Sequence, residues 1–538
     1  MSLALLASQT LPGLVAYFVL SLLLLMVMPL CYLYLNGVLH QTSRGIGQRK
    51  KKQLPPGPKP WPIVGNLPEM LINKPNFRWI HNMMKHLKSD IICIRLGNFY
   101  VIPVTCPIIS RELFRKQDAV FQSRPMCMAA TLLSSGYSTT VVVPFGDQWK
   151  KMRRVITNEL MSPQKTRWLL GKRIEEADHL VRYVFSHCRN EEAGNNGGAV
   201  NLRTVARHFS GNVIKQTIFS RRHFGEGTKD GGPGFEDEEH MEALFAILKY
   251  VYAFSISDYL PCLKGLDLDG HQKSTRKAVE TVDKYHNPII HERIQQWGDG
   301  GRKEVEDWLD VLITLKDENG KLLLTQEEII AQIRELTAAA VDNPSNAMEW
   351  ALAEMLNQPE LFEKATEELD RVVGKDRLVQ ESDFPKLFYV KALAREAFRR
   401  HPIVPFNLPH VALSDTTVAS YYIPKGSHVY LSRMGLGRNP NAWDEPDKFK
   451  PERHMKDDGS DILLSDADFR ILSFSAGRRG CPAVNLGSAM TIMLFARLLH
   501  AFDWSLPPGQ SSVDLNEGED DIFLAKPLIA LAKPRLAR

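Results

Sequence analysis

The feature that most constrains this chain is a loop near its C-terminus, Phe474-Ser-Ala-Gly477-Arg-Arg479-Gly480-Cys481-Pro482-Ala483. Glycines at 477 and 480 let the backbone turn tightly and come close to a flat ligand. The pattern after Cys481 predicts an apolar helix over 483–501, with Pro482 placed for its first turn. A cysteine at a helix N-terminus, next to Arg478 and Arg479, has its thiolate stabilised by the helix dipole and by positive charge. The same arginines can meet a carboxylate, such as a haem propionate. Thiolate ligation pushes electron density onto a haem iron and favours O–O cleavage. The plainer alternative is an ordinary buried cysteine in a glycine turn.

The rest of the composition excludes several classes. A net charge of +5 over 538 residues is small, and no basic stripe is interleaved with aromatics, so nucleic-acid binding is not expected. The 7 cysteines are dispersed at 31, 93, 106, 127, 188, 262 and 481 without C-x-x-C pairs, which argues against a disulfide framework and a structural zinc site. Residues 11–35 are apolar and uncharged, long enough to span a bilayer. No Lys or Arg precedes them, whereas Arg44, Arg49, Lys50, Lys51 and Lys52 follow. The positive-inside rule therefore places residues 1–40 as a luminal N-terminus and signal anchor, with the catalytic part in the cytosol, and the expected membrane is the endoplasmic reticulum. Residues 41–65 are a basic stop-transfer segment and a stiff proline hinge, with four prolines before Trp61.

Residues 66–538 read as one mainly α domain with a small β-sheet. Periodicity predicts helices over 149–160, 173–188, 241–253, 279–296, 325–357, 360–373 and 389–400, and strands near 91–95, 100–104, 418–422 and 428–431. The glycine-rich stretches 194–198 and 225–234 read as surface loops, because neither has the strand-then-helix setting of a phosphate loop. Within 325–357, Pro344 has no N–H, so the Ala340 carbonyl loses its helical donor and a polar notch forms beside Ala338, Ala339 and Ala340. Asp342 and Asn343 sit at that notch and can relay protons.

The terminal loop resembles the haem-binding sequence F-x-x-G-x-R-x-C-x-G of the cytochromes P-450, with Ala483 in place of the last glycine. The resemblance implies the P-450 fold, haem b, and Cys481 as the iron ligand. It implies Phe474 and Arg479 at the haem, and Trp149 and Arg153 (W-x-x-x-R) and His410 as propionate partners. It also implies a structural triad of Glu396, Arg399 and Arg453 (E-x-x-R with P-E-R), with His454 where phenylalanine is usual.

Several departures recur together in the plant amino acid N-monooxygenases that make aldoximes: Asp342-Asn343-Pro344-Ser345-Asn346, Arg453-His454, and Phe406-Asn407 before His410. Asn343 stands where oxygen-activating members carry a threonine. This closer resemblance implies two N-hydroxylations of an L-amino acid, phenylalanine first, then tyrosine, with aliphatic residues and tryptophan behind. Loss of carbon dioxide and water then gives the aldoxime, the first step towards cyanogenic glucosides, glucosinolates or volatiles. NADPH enters only through a partner reductase, and a downstream aldoxime-metabolising P-450 is a further possible partner. Asn343, Asn346, Asn407 and Phe406 are the expected substrate contacts, with Val404 and the turn near Phe523 as wall candidates. The basic face of helix 149–154, through Lys150 and Lys151, is the expected reductase dock. The missing threonine leaves a second reading, a P-450 that rearranges a hydroperoxide without a reductase; a third is a non-catalytic membrane haem protein or scaffold.

Overall fold

The computed structural model describes residues 53–189, 198–456, 459–465 and 468–536. By its contacts the chain divides into two units, Met1–Gln53 and Leu54–Arg538. The expected anchor, the basic segment up to Lys52 and most of the loop 194–198 lie outside the described residues.

Nine principal helices are labelled in chain order: α1 Asp147–Arg154, α2 Leu170–Cys188, α3 Leu202–Phe219, α4 Phe235–Tyr250, α5 His271–Gly298, α6 Gln326–Asn357, α7 Glu360–Val372, α8 Phe388–Arg400 and α9 Val484–Ala501. The strands are β1 Ile94–Leu96, β2 Phe99–Val104, β3 Ala199–Asn201, β4 His410–Val411, β5 Thr416–Val418, β6 Tyr421–Ile423, β7 His428–Leu431, β8 Phe502–Ser505 and β9 Ile529–Pro534. They form a four-stranded sheet in the order β1-β2-β7-β4, a three-stranded sheet β3-β9-β8 and the hairpin β5-β6.

Helix α6 organises the domain. It starts with a capping box: the Thr325 hydroxyl accepts the Glu328 N–H at 3.2 Å, and the Glu328 carboxylate accepts the Thr325 N–H at 2.9 Å. It ends at Asn357, two residues before Pro359, which cannot continue the helix. In between it packs against α3, α4, α8 and α9. Trp350 is fully buried there, stacked on His401 at 3.9 Å, with its indole N–H on the Ile522 carbonyl at 3.2 Å. Helix α9 passes the length and hydropathy tests for a membrane span, but most of it is buried in this core.

The seven helices read from periodicity are present with shifted ends. Residues 149–160 are α1 followed by a π-helical run, Val155–Leu160. Helix α5 starts eight residues before the expected 279 and runs on through Pro288. The expected single strand 418–422 is divided between two strands. Val418, Tyr421 and Tyr422 are strand residues of the β5-β6 hairpin, but Ala419 at φ 48° and Ser420 at φ 67° form its tight turn between them. Two successive residues at positive φ match a type I′ turn, but neither is Asn or Gly, so the usual signal is missing. Helix α3 has no counterpart among the expected elements. Fourteen of its 18 residues are buried, including His208, Asn212 and Lys215, so it has no polar face and no amphipathic period.

Candidate haem-thiolate site

The Cys481 loop is held open by its own backbone. The Cys481 N–H donates to the Phe474 carbonyl at 2.9 Å, and the Gly480 N–H donates to that of Gly477 at 2.9 Å. Gly477 has φ +68°, and a Cβ there would stand 2.5 Å from the Asp118 carboxylate, so only glycine fits. Ala483 is the N-cap of α9 with φ −99°, a conformation open to any residue, which explains how alanine replaces the usual glycine. The Ala483 N–H points at the Cys481 sulfur at 3.4 Å. Burial pushes the Cys481 thiol up, while that N–H and the charges of Arg153 and Arg433 oppose it. Cys481 is half-buried. Phe474 packs behind the loop, its ring against Gly487 of α9 and edge-on to Phe398 of α8 at 6.0 Å.

Three guanidiniums converge on one side of the loop. Arg153 donates to the Gly480 carbonyl at 2.7 Å. Arg479 donates to the carbonyls of Gln122 at 2.6 Å and Val143 at 2.8 Å, and lies 4.5 Å over the Trp149 ring. Arg124, which the sequence reading missed, donates to the carbonyls of Leu408 at 2.7 Å and Pro409 at 2.9 Å. No carboxylate is bonded to any of the three among the described residues. Burial lowers Arg124 to about 10 and Arg479 to about 9. The Trp149 indole N–H beside them is buried without a partner, as is His410 Nε2. His410 Nδ1 lies 2.7 Å from the Phe121 carbonyl, and burial holds the ring neutral. Buried cations and an orphan donor together call for an anion. Arg478 instead turns outward to Asp118 at 3.3 Å.

On α6, Ala339 is exposed within a mostly buried stretch of helix, with half-buried Ala340 and Asn343 beside it. The helix continues unbroken through Pro344, and the Ser345 hydroxyl donates to the carbonyls of Val341 at 2.8 Å and Asp342 at 2.9 Å. Asp342 is buried with Oδ1 unpartnered, and burial raises it to about 7 against the opposing charges of Arg207 and Arg433. Asn346 lies on the Asp342 side, both amide atoms unpartnered, in a crevice with Arg203, Arg207 and Phe523. The two asparagines thus diverge: Asn343 sits beside Ala339 and Ala340 and Asn346 does not.

Phe406 does not gather with the polar candidates. Its ring stacks on His81 at 5.2 Å and meets Tyr430 at 5.8 Å. Asn407 is buried and its Oδ1 accepts from Arg433 Nε, so its amide orients another side chain. Glu396 and Arg399 are fully buried. Arg399 holds the carboxylate in two bonds at 2.8 and 2.7 Å, and Arg453 adds one at 3.1 Å. His454 Nε2 supplies another at 2.8 Å, which is what histidine does where phenylalanine is usual. Burial pushes Glu396 up, but these donors outweigh it and hold the acid at about 2. Lys151 is not a free basic residue: its ammonium sits on both oxygens of Glu328 at 2.8 Å, at the start of α6.

The pattern of the family described as Cytochrome P450 matches residues 55–532. A phenylalanine N-monooxygenase of Prunus mume is 59% identical over 90% of this chain and 91% of its own. A tyrosine N-monooxygenase of Sorghum bicolor is 58% identical over 90% of this chain and 86% of its own. A tryptophan N-monooxygenase of Arabidopsis thaliana is 55% identical over 91% and 89%. A zebrafish cytochrome P450 solved with progesterone superposes with a TM-score of 0.69 at 23% identity, over 86% of this chain and all of the other. The family implies a haem-thiolate iron, and a cysteine at a helix start beside unmatched cations fits that group. The chain belongs to the cytochrome P450 family.

Proposed function

We propose that this chain is a haem-thiolate monooxygenase that N-hydroxylates an L-amino acid twice and releases the aldoxime. The observation that carries this reading is kinship of 54–59%, along about nine-tenths of the chain, with proteins named as amino acid N-monooxygenases. Their named substrates include phenylalanine, isoleucine, tyrosine, valine and tryptophan, with phenylalanine and isoleucine both at 59%. Phenylalanine is our first expectation.

Haem b bound through Cys481 supplies dioxygen activation, with electrons from NADPH through a reductase. Phe474 backs the loop. Arg153, Arg479, Arg124 and the Trp149 indole N–H are the donors for the propionates. His410 Nε2 reaches a propionate as a donor only in its protonated form or in the tautomer that gives up the Phe121 carbonyl. Asn343, beside Ala339 and Ala340 on α6, offers an amide to the amino group. Each N-hydroxylation takes two electrons and two protons and leaves one oxygen on nitrogen and one in water. The N,N-dihydroxy amino acid then loses carbon dioxide and water. Expressed in microsomes with a reductase and NADPH and supplied with each amino acid in turn, the chain should release the aldoxime of at least one. Turnover of hydroperoxides without reductase would favour the rearranging alternative instead.

Asp342, at about 7, holds and passes a proton at working pH. Asp342→Asn should lower turnover by roughly 100-fold, within the range for a lost acid–base group. It should also flatten the pH dependence near 7, with haem content unchanged. Aldoxime formation against pH at saturating amino acid measures this, and a retained limb would contradict the role.

Residues 1–40 are proposed as the anchor, 41–65 as the hinge and 66–538 as the catalytic domain facing the cytosol from the endoplasmic reticulum. A downstream aldoxime-metabolising P-450 remains a proposed neighbour. The reductase dock narrows to Lys150 and Arg154, the exposed cations of α1. Reversing both charges should slow reductase-driven turnover several-fold at low salt, with the loss shrinking as salt rises. Reversing Lys151 instead should destabilise the start of α6.

A further inference from the structure

Arg433, just past the end of β7, is a cation that the family motifs do not account for. It is half-buried, and burial lowers it to about 10. Its Nε donates to Asn407 Oδ1 and its Nη2 to the Ser473 carbonyl at 2.6 Å, the residue before Phe474. Those two bonds fix the plane of the guanidinium. Nη1 makes no hydrogen bond among the described residues, and no carboxylate pairs with the group there. The charge acts on both Cys481 of the loop and Asp342 of α6. Its bonds place it between Asn407 and the start of the Cys481 loop at Ser473.

An α-amino acid brings a carboxylate with it and must present its nitrogen to the reacting centre. A fixed, desolvated guanidinium with a free N–H edge is the group that binds a carboxylate in one orientation. We propose that Arg433, positioned by Asn407, anchors the α-carboxylate of the substrate. This rests on the amino-acid reading above. It adds a consequence: once the carboxylate leaves as carbon dioxide, the aldoxime no longer has a partner for Arg433, which favours product release over rebinding.

The test uses the full chain with haem and reads the spin-state shift of the haem spectrum on titration. Two probes are compared: the accepted amino acid and the amine that lacks only its carboxylate. Arg433→Gln should weaken the amino acid by about 30-fold or more, the range for truncating one partner of a buried charge pair. The amine should bind wild type and variant alike, with haem content unchanged. Arg433→Lys should recover part of the affinity, and Asn407→Ala should weaken the amino acid less than Arg433→Gln does. Equal loss for both probes, or loss of haem with amino-acid affinity intact, would overturn the anchor and leave the amino-acid reading standing. No shift of the wild type with any amino acid would overturn both.

Discussion

Cys481→Ser should give a chain that folds but loses the red-shifted carbon monoxide band of a thiolate-bound haem and all aldoxime formation. The reason is electronic. A serine oxygen keeps the loop geometry, since Cys481 donates through its backbone N–H to Phe474 and Gly477 still turns. It lacks the soft, electron-rich sulfur that favours O–O cleavage. The thiol's own environment sharpens the prediction. Burial raises Cys481, so the thiolate is not favoured by the protein alone, despite Arg153, Arg433 and the Ala483 N–H. Metal coordination must supply the stabilisation, because a coordinating thiol is deprotonated outright. A Cys481→Ser protein with the band and turnover intact would show that the ligand lies elsewhere.

Breaking the Glu396–Arg399 pair should be the most damaging change away from the site. Arg399→Leu leaves a fully buried carboxylate and strips donors from the carbonyls of Pro446 and Lys448, at 2.7 and 2.8 Å. Loss of one partner of a buried ion pair costs about 3–5 kcal/mol, which is much of a domain's stability. The expected result is aggregation or failure to retain haem, read by soluble yield and thermal unfolding. His454→Phe should be milder, about 1–3 kcal/mol for one donor removed from a buried acceptor. The pH dependence follows from the lowered acid. Glu396 is held at about 2 against 4.5 for the free group, so its stabilisation is present above about 4.5 and lost as pH falls towards 2. In His454→Phe the folded-state value rises, so the loss should be smaller and complete at a higher pH, as acid unfolding would show.

Fold class was legible because α6 and α9 announce themselves locally, through Thr325-x-x-Glu328 and through the apolar run after Cys481. What stayed hidden depends on contacts far apart in sequence. Helix α3 is buried all round, so its polar residues broke the period that marks a surface helix. The 419–420 turn uses Ala and Ser at positive φ, where sequence rules look for Asn-Gly. At the site, residues with motif spacing were readable, but Arg124 and Arg433 were not. Nothing near them in sequence marks them, and their meaning comes from carbonyls and carboxamides more than twenty residues away, such as Leu408 and Asn407. The same holds for Lys151, which reads as a solvated base until Glu328 is found on it.

The most direct test of the whole account is an isotope balance. The accepted amino acid, labelled at its carboxyl carbon and at its nitrogen, is turned over with reductase and NADPH. The account predicts that the carbon label leaves entirely as carbon dioxide while the nitrogen label is retained in the aldoxime. A product hydroxylated on carbon, with the carboxyl label still in place, would contradict it.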